Sequence, residues 1–571
     1  MKIYRIITVA LAGLLLCSCN SILEKTPLVN LAVENYYTND DQANTAIIGV
    51  YHSIKAGELG TYHYIHLGDN ISDDTEIGNG RSDGVKWAGN QLTMMKYDIL
   101  PSNQYSGNYV WNYYFTTVSN ANYVIGALKD SKLANAAKYT AEALFLRSFA
   151  YFDLARQFGG LPIVDHVLSY DEYFNPRETE DATWEFVENG FIEAEKDLPV
   201  SWDSANLGRV TKGAALAMLA RTYVYHASYL QFHKKTDAST IWQKAYDTIK
   251  MIELSNYFTL EPKFEDIFSM THQNGIEHCF SIQFATSHTG WGVANDGNNS
   301  CFYGHDFGIT TTDLDKNATT LHDYYGEDIY DFVYNKMLEE FPWNINDDGS
   351  PKAYLKKWTG WSLHCPTLDL VAAFEPGDPR LAATVIAPNE YYDGHTHFNL
   401  ASPSRYQGKK DYVPFEWRTE ESNEDDLPKN QIVLRWGNVL LYMAEACNEL
   451  GKTVEALEYL EKVRGRARSN SIDPTVLPKV TTTDQAELRE AIYHERRVEN
   501  ALEYDRYFDL ARTGRLEATM KAYYAKYKND RGKFEKGKNV QSYHEHMPIP
   551  QRAIDASLYN GVYTLEQNPG Y

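Results

Sequence analysis

Cysteine is scarce in this chain: there are six in 571 residues. Cys17 and Cys19 sit near the start, and Cys279, Cys301, Cys365 and Cys447 are spread over the rest. Four thiols in so long a body do not make a disulfide-stapled scaffold. None falls in a C-x-x-C pair or near a histidine at ligand spacing, so the usual thiol-based zinc signatures do not occur. Cys447 falls on an apolar helical face and is expected to be a buried structural thiol. Whether Cys279 and Cys301 pair in an exported protein stays open. Positive charge is also short. Lys and Arg number 54 against 77 Asp and Glu, a formal charge of −23. That balance excludes a general nucleic-acid binder, which needs a basic face, and gives the body no attraction for anionic lipid. Long apolar runs are missing too. The stretch Ile6 to Leu16 stops well short of the roughly 20 residues a spanning helix needs. No nucleophile elbow, phosphate loop or metal signature occurs.

What is present is globular in character, with 43% hydrophobic and 23% charged residues. The length predicts about three or four domains, or one large helical one. Aromatics reach 13%, with 43 Tyr and 11 Trp, and amphipathic rings of this kind are what contact surfaces use. Lys2 and Arg5 followed by the short apolar run form an export signal. The run ends Leu16-Cys17-Ser18-Cys19, which resembles a bacterial lipobox. The resemblance implies removal of residues 1–18 and acylation of Cys19, and several acyl chains on one residue give a stable anchor.

Helical periodicity dominates residues 41–260 and 432–516. The clearest unit, Met443 to Leu460, has small residues at Ala444 and Ala456, a turn glycine at Gly451 and an apolar Leu460. This is the helix–turn–helix spacing of a tetratricopeptide repeat. A second pairing sets Leu219, Ala220 and Tyr223 against Trp242, Ala245 and Ile249. A third helix, carrying Ala141, Phe145 and Tyr151, ends in Phe158-Gly159-Gly160-Leu161-Pro162, with glycine and proline as stop signals. The predicted fold is mainly α: a tetratricopeptide-like scaffold of helix pairs with large loop-rich insertions. Its parts are an N-terminal helical scaffold over 19–260 with an insertion near 59–108, a loop-rich variable segment over 261–431, and a C-terminal helical scaffold with a docked tail over 432–571. Trp111, Trp184, Trp242 and Trp436 lie within helical patterns and are expected in the core.

Several segments, taken in order, resemble the SusD/RagB family of Bacteroidetes surface lipoproteins. These are Glu142 to Pro162, Gly208 to Tyr225, Pro366-Thr367 with Phe374 and Gly377 to Arg380, and Leu434 to Glu449 with Val463 to Ala467. Glu495 to Glu499, Arg506 to Leu510, Pro548 to Pro550 and the terminal Gln567 to Tyr571 complete the set. Glu495, Arg496, Arg497, Glu499, Arg506 and Asp509 look like a catalytic cluster, yet charges at helical spacing more often lock helix to helix. The resemblance implies binding and not catalysis, with no cofactor. It implies capture of an oligosaccharide, or of a peptide in some members, and delivery to a TonB-dependent outer-membrane transporter of the SusC type. It also implies an outer-membrane, cell-surface location through the lipid anchor.

The family's ligand residues lie in variable loops, so the site must be argued from chemistry. A neutral glycan offers C–H faces to aromatic rings and hydroxyls to Asp, Asn and Arg. Loop aromatics beside small polar residues fit: Trp291 between glycines, Trp358 and Trp361 around Thr359-Gly360, and Trp343 beside Asn344. In the N-terminal insertion the candidates are Asp73, Arg81, Trp87 and Tyr105. A metal fits less well. Asn344, Asn346, Asp348 and Gly349 follow a calcium loop, but Leu355 stands where its closing glutamate belongs, and a plain turn is the better reading. The rival classes are a glycan-cleaving enzyme, which needs two carboxylates across a sugar, and a repeat scaffold that binds only protein.

Overall fold

The computed structural model describes residues 37–55, 64–78, 89–103, 107–285, 363–397, 402–417, 427–530, 533 and 535–571. The helices of twelve residues or more are numbered in chain order: α1 (Asp40–Lys55), α2 (Tyr109–Leu128), α3 (Ala136–Phe158), α4 (Glu180–Asp197), α5 (Lys212–Ser228), α6 (Ser239–Ser255), α7 (Trp436–Glu449), α8 (Thr453–Ser469), α9 (Gln485–Glu499) and α10 (Leu516–Tyr527). The fold is mainly helical, as the periodicity predicts. Strands among the described residues are short and occur in two-stranded pairs.

Local chemistry sets the ends of the helices. Thr179, Thr211 and Asp484 cap α4, α5 and α9 by accepting from the backbone N–H groups of Ala182, Ala214 and Glu487. Gly159 ends α3 at a φ of 73°, and Gly451 turns the chain between α7 and α8 at 72°, a region open to glycine at little cost. The pair α7–α8 is the helix–turn–helix expected around Met443 to Leu460. Ala444 and Ala456 are fully buried where its two helices close on each other.

Each helix from α1 to α8 packs on the next, and α9 packs on α7. The pair α5–α6 matches the predicted apposition of Leu219 and Tyr223 with Trp242 and Ile249. α6 also packs directly on α7, so the two helical blocks form one stack although some 180 residues of sequence separate them. The strand His278–Ile282 pairs antiparallel with Gln431–Arg435 and brings together the two ends of the intervening segment. Helix pairs gain stability from neighbours that cover their faces. The central helices α3 and α7 show this most clearly, being buried along nearly their whole length.

The four helical tryptophans are buried as expected: Trp111, Trp184, Trp242 and Trp436. Cys279, Cys365 and Cys447 are buried; Cys301, the second half of the Cys279 question, lies outside the described residues. The C-terminal tail is docked. Gln567 and Ile549 exchange two hydrogen bonds, Asn568 donates to the carbonyls of Phe158 and Met547, and Tyr571 donates to that of His546. Among the described residues no helix is long and apolar enough to cross a membrane.

Candidate ligand-binding site

The two loop-rich stretches meet in space. Thr75 and Glu76, from the N-terminal insertion, pair antiparallel with Pro366 and Cys365 of the middle segment. Asn70 Nδ2 donates to the Leu363 carbonyl at 2.7 Å, and Thr367 binds the carbonyls of Asp73 and Asp74 through its Oγ1 and N–H. His364 Nε2 lies 2.9 Å from Asp69 Oδ2, and the same carboxylate accepts from the Tyr504 N–H. The Tyr504 hydroxyl donates to Asp411. Gly68 is required here, because a Cβ on it would stand 2.1 Å from the Tyr504 carbonyl oxygen.

Of the candidate ligand residues, the described structure contains Asp73 alone, and it corrects that expectation. Asp73 is 6% exposed and closed by Arg506 at 2.9 Å and Arg497 at 2.8 Å. Asp74 is paired with Arg497 at 2.6 Å. Burial works against the Asp73 carboxylate, but Arg506 and Arg497 outweigh it and hold the group below the usual carboxylate range. For Asp74 burial wins, and its pKa is raised. This acidic pair is therefore part of the frame and offers no open oxygen to a sugar hydroxyl. Trp291, Trp343, Trp358, Trp361, Arg81, Trp87 and Tyr105 lie outside the described residues, as do the calcium-like stretch 344–349 and Cys19. His544 accepts the Gln541 N–H at Nδ1 and is buried beside Tyr97 and Tyr571.

The glutamate–arginine motifs prove to be structural. Glu499 of α9 is fully buried and accepts from Arg435 at 2.7 Å, from Arg380 at 3.0 Å and from Arg466. Glu495 binds Arg380 at 2.6 Å and Arg464 at 2.9 Å, while Arg496 grips Asp509, which also binds Arg512. Arg435 reaches Glu277 and Glu503 as well. These contacts bolt the middle segment to α8 and α9: Glu277 through Arg466, Arg380 through Glu495 and Glu499, and Lys410 through the Glu499 carbonyl. Burial brings the Lys410 ammonium down to about 8 although Glu503 lies 2.6 Å away. A motif search over-reads such a cluster because sequence shows the charges and not their closure.

Sequence reasoning passed over the hairpin Glu390–His397. Its Tyr391 is 69% exposed, and the turn residues Asp393-Gly394 that present it were a legible signal.

Comparison with known proteins adds the following. Residues 339–571 match the model of the SusD family, and residues 20–224 match a second model described as starch-binding associating with outer membrane. A SusD-like protein, P25, of Formosa agariphila is 23% identical over 98% of this chain and 97% of its own. Among solved structures, a laminarin-binding SusD-like protein is similar with a TM-score of 0.68 at 21% identity, covering 94% of this chain and 100% of that one. Surface glycan-binding protein A from Bacteroides thetaiotaomicron, in complex with laminarihexaose, gives 0.65 at 22% identity, covering 93% and 100%.

Proposed function

The chain belongs to the SusD family, and from that premise we propose that it is a cell-surface protein that binds an oligosaccharide and hands it to a TonB-dependent transporter of the outer membrane. The observation that carries this reading is the junction of the two loop-rich stretches. It ties the N-terminal insertion to the middle segment through Thr75–Glu76 and Cys365–Pro366, which supports looking for the ligand residues in these two stretches. Trp291, Trp343, Trp358, Trp361, Trp87 and Tyr105 supply rings for the C–H faces of sugars, and Arg81 supplies hydrogen bonds to hydroxyls.

The glycans named for two structural relatives, laminarin and laminarihexaose, support the ligand class. The closed state of Asp73, Asp74, Glu495 and Glu499 favours binding over hydrolysis, which needs carboxylates free to meet the glycosidic bond. Acylation of Cys19 would hold the protein at the membrane, and the exposed helical face of the stack would meet the transporter over well more than 1,000 Å² if the complex is stable. The test is calorimetry with a panel of oligosaccharides, laminarihexaose included, alongside an assay for shortened products. Saturable binding without cleavage is the expected result. Cleavage, or failure of every glycan while a peptide binds, overturns the reading.

A further inference from the structure

A cavity lies on the scaffold, between the loop preceding α5 and the strand His278–Ile282. Its volume is about 220 Å³. At about 30 Å³ per water this is room for roughly seven waters, below the 300–1,000 Å³ of drug-sized pockets. One six-membered ring with its substituents fills such a space.

The lining is specific in its chemistry. Tyr257 and Phe258 give it apolar walls, and Leu207 and Ile276 bring exposed side chains to it. The strand is irregular at this point, with the pairing register shifted on either side of Phe280. Phe280 packs on Phe145 and Phe149, and both Phe280 and Ser281 line the cavity. Ser281 is 5% exposed, and its hydroxyl has no hydrogen-bond partner among the described residues. A buried hydroxyl left unpaired is costly, so a polar ligand atom that reached Ser281 would gain a hydrogen bond.

The charged groups around the cavity are already spent. Arg209 donates to both oxygens of Glu142 at 2.7 Å, gives its remaining donor nitrogen to Asn44 and Asn206, and stacks on Trp202. His278 accepts the Gly275 N–H at Nδ1 and faces the Ile267 carbonyl with Nε2, so both of its nitrogens are occupied. An anion finds no free cation here, and a cation finds no free carboxylate.

We propose that this cavity is a second binding site, for a single neutral, hydroxyl-rich ring such as one pyranose unit. The apolar walls take its C–H face, and Ser281 hydrogen-bonds a hydroxyl. The class of ligand rests on the glycan-binding reading above; the location does not.

The test uses methyl NMR spectra of the full chain, titrated at millimolar concentration with methyl glucoside, methyl galactoside, sodium phosphate and sodium acetate. A neutral sugar is expected to shift the methyls of Leu207, Val210 and Ile276, and the two anions are not. Ser281→Ala should weaken the effect about five-fold, the usual worth of one hydrogen bond, and Ile276→Trp should abolish it by filling the cavity. The sugar shifts should persist when Trp291, Trp358 and Trp361 are replaced together by Ala. Shifts from phosphate or acetate alone, no shift with either sugar, or an unchanged response in Ser281→Ala would each overturn the proposal. Loss of the shifts in the triple tryptophan variant would assign them to the loops, whereas their survival alongside lost oligosaccharide binding would separate the two sites.

Discussion

Replacing Glu499 by Gln removes one negative charge from beneath three guanidinium groups. The carboxylate is fully buried, and it accepts from Arg435, Arg380 and Arg466. Burial alone would raise its pKa, yet Arg466, Arg435 and Arg380 together lower it below the ordinary glutamate value. A glutamine keeps the shape, but its amide NH2 can accept nothing from these donors, and excess positive charge stays inside the protein. Breaking a buried pair of this kind costs about 3–5 kcal/mol. The loss should appear as a lower urea midpoint with an unchanged slope. Because Arg380 and Arg435 belong to or close the middle segment, early proteolytic cuts should fall within residues 261–431 while the helical stack remains intact. A double-mutant cycle with Arg380→Met should show a coupling of about 1 kcal/mol or more. The pH dependence has a definite sign. The folded pKa is depressed, so this stabilisation is full above the unfolded value of about 4.3 and fades as pH falls from there toward the folded value. The gap between wild type and Glu499→Gln should therefore close only in acid. A cost below about 1 kcal/mol at neutral pH would refute the claim that this carboxylate secures the segment.

Four further outcomes are expected. Burial lowers the His544 imidazole to about 4, so the unfolded chain takes up its proton first as pH falls below about 6.5; up to about 3 kcal/mol should be lost between pH 6.5 and 4, and His544→Asn should flatten that part of a stability–pH curve. Gly451→Ala should cost only about 1 kcal/mol, from φ alone, since nothing stands within 4 Å of its Cβ, whereas Gly68→Ala should cost more because its Cβ meets the Tyr504 backbone, as thermal melts of both will show. Replacing a true loop platform among Trp291, Trp358 and Trp361 by Ala should cost about 1–3 kcal/mol of glycan affinity by calorimetry with helix content unchanged, while Trp436→Ala should lower stability first by about 3–5 kcal/mol. Cys19→Ala should release the protein from membranes or leave the precursor unprocessed on fractionation; normal processing and retention would refute the anchor.

Much of the scaffold was legible because helices write themselves locally. Period, caps and stop signals lie within a few residues of one another, so α3 with Gly159, the α7–α8 turn at Gly451 and the burial of Trp184 and Trp242 could be read directly. The structural role of Glu495 to Asp509 was legible for the same reason, since charge at helical spacing predicts pairing. Which partners are chosen was not. Glu499 meets arginines from three separate segments, and Asp73 meets Arg497 and Arg506 more than 400 positions away. In sequence Asp73 sits in a polar loop and resembles a ligand group; only chain closure shows that it is buried and neutralised. Tertiary structure likewise decided that α6 continues into α7 across the middle segment, and that the two loop-rich stretches share one junction. Apolar periodicity states that a face must be covered but not by what, and a short two-residue strand pairing such as Thr75–Glu76 with Cys365–Pro366 carries too little pattern to be read before the chain brings it together.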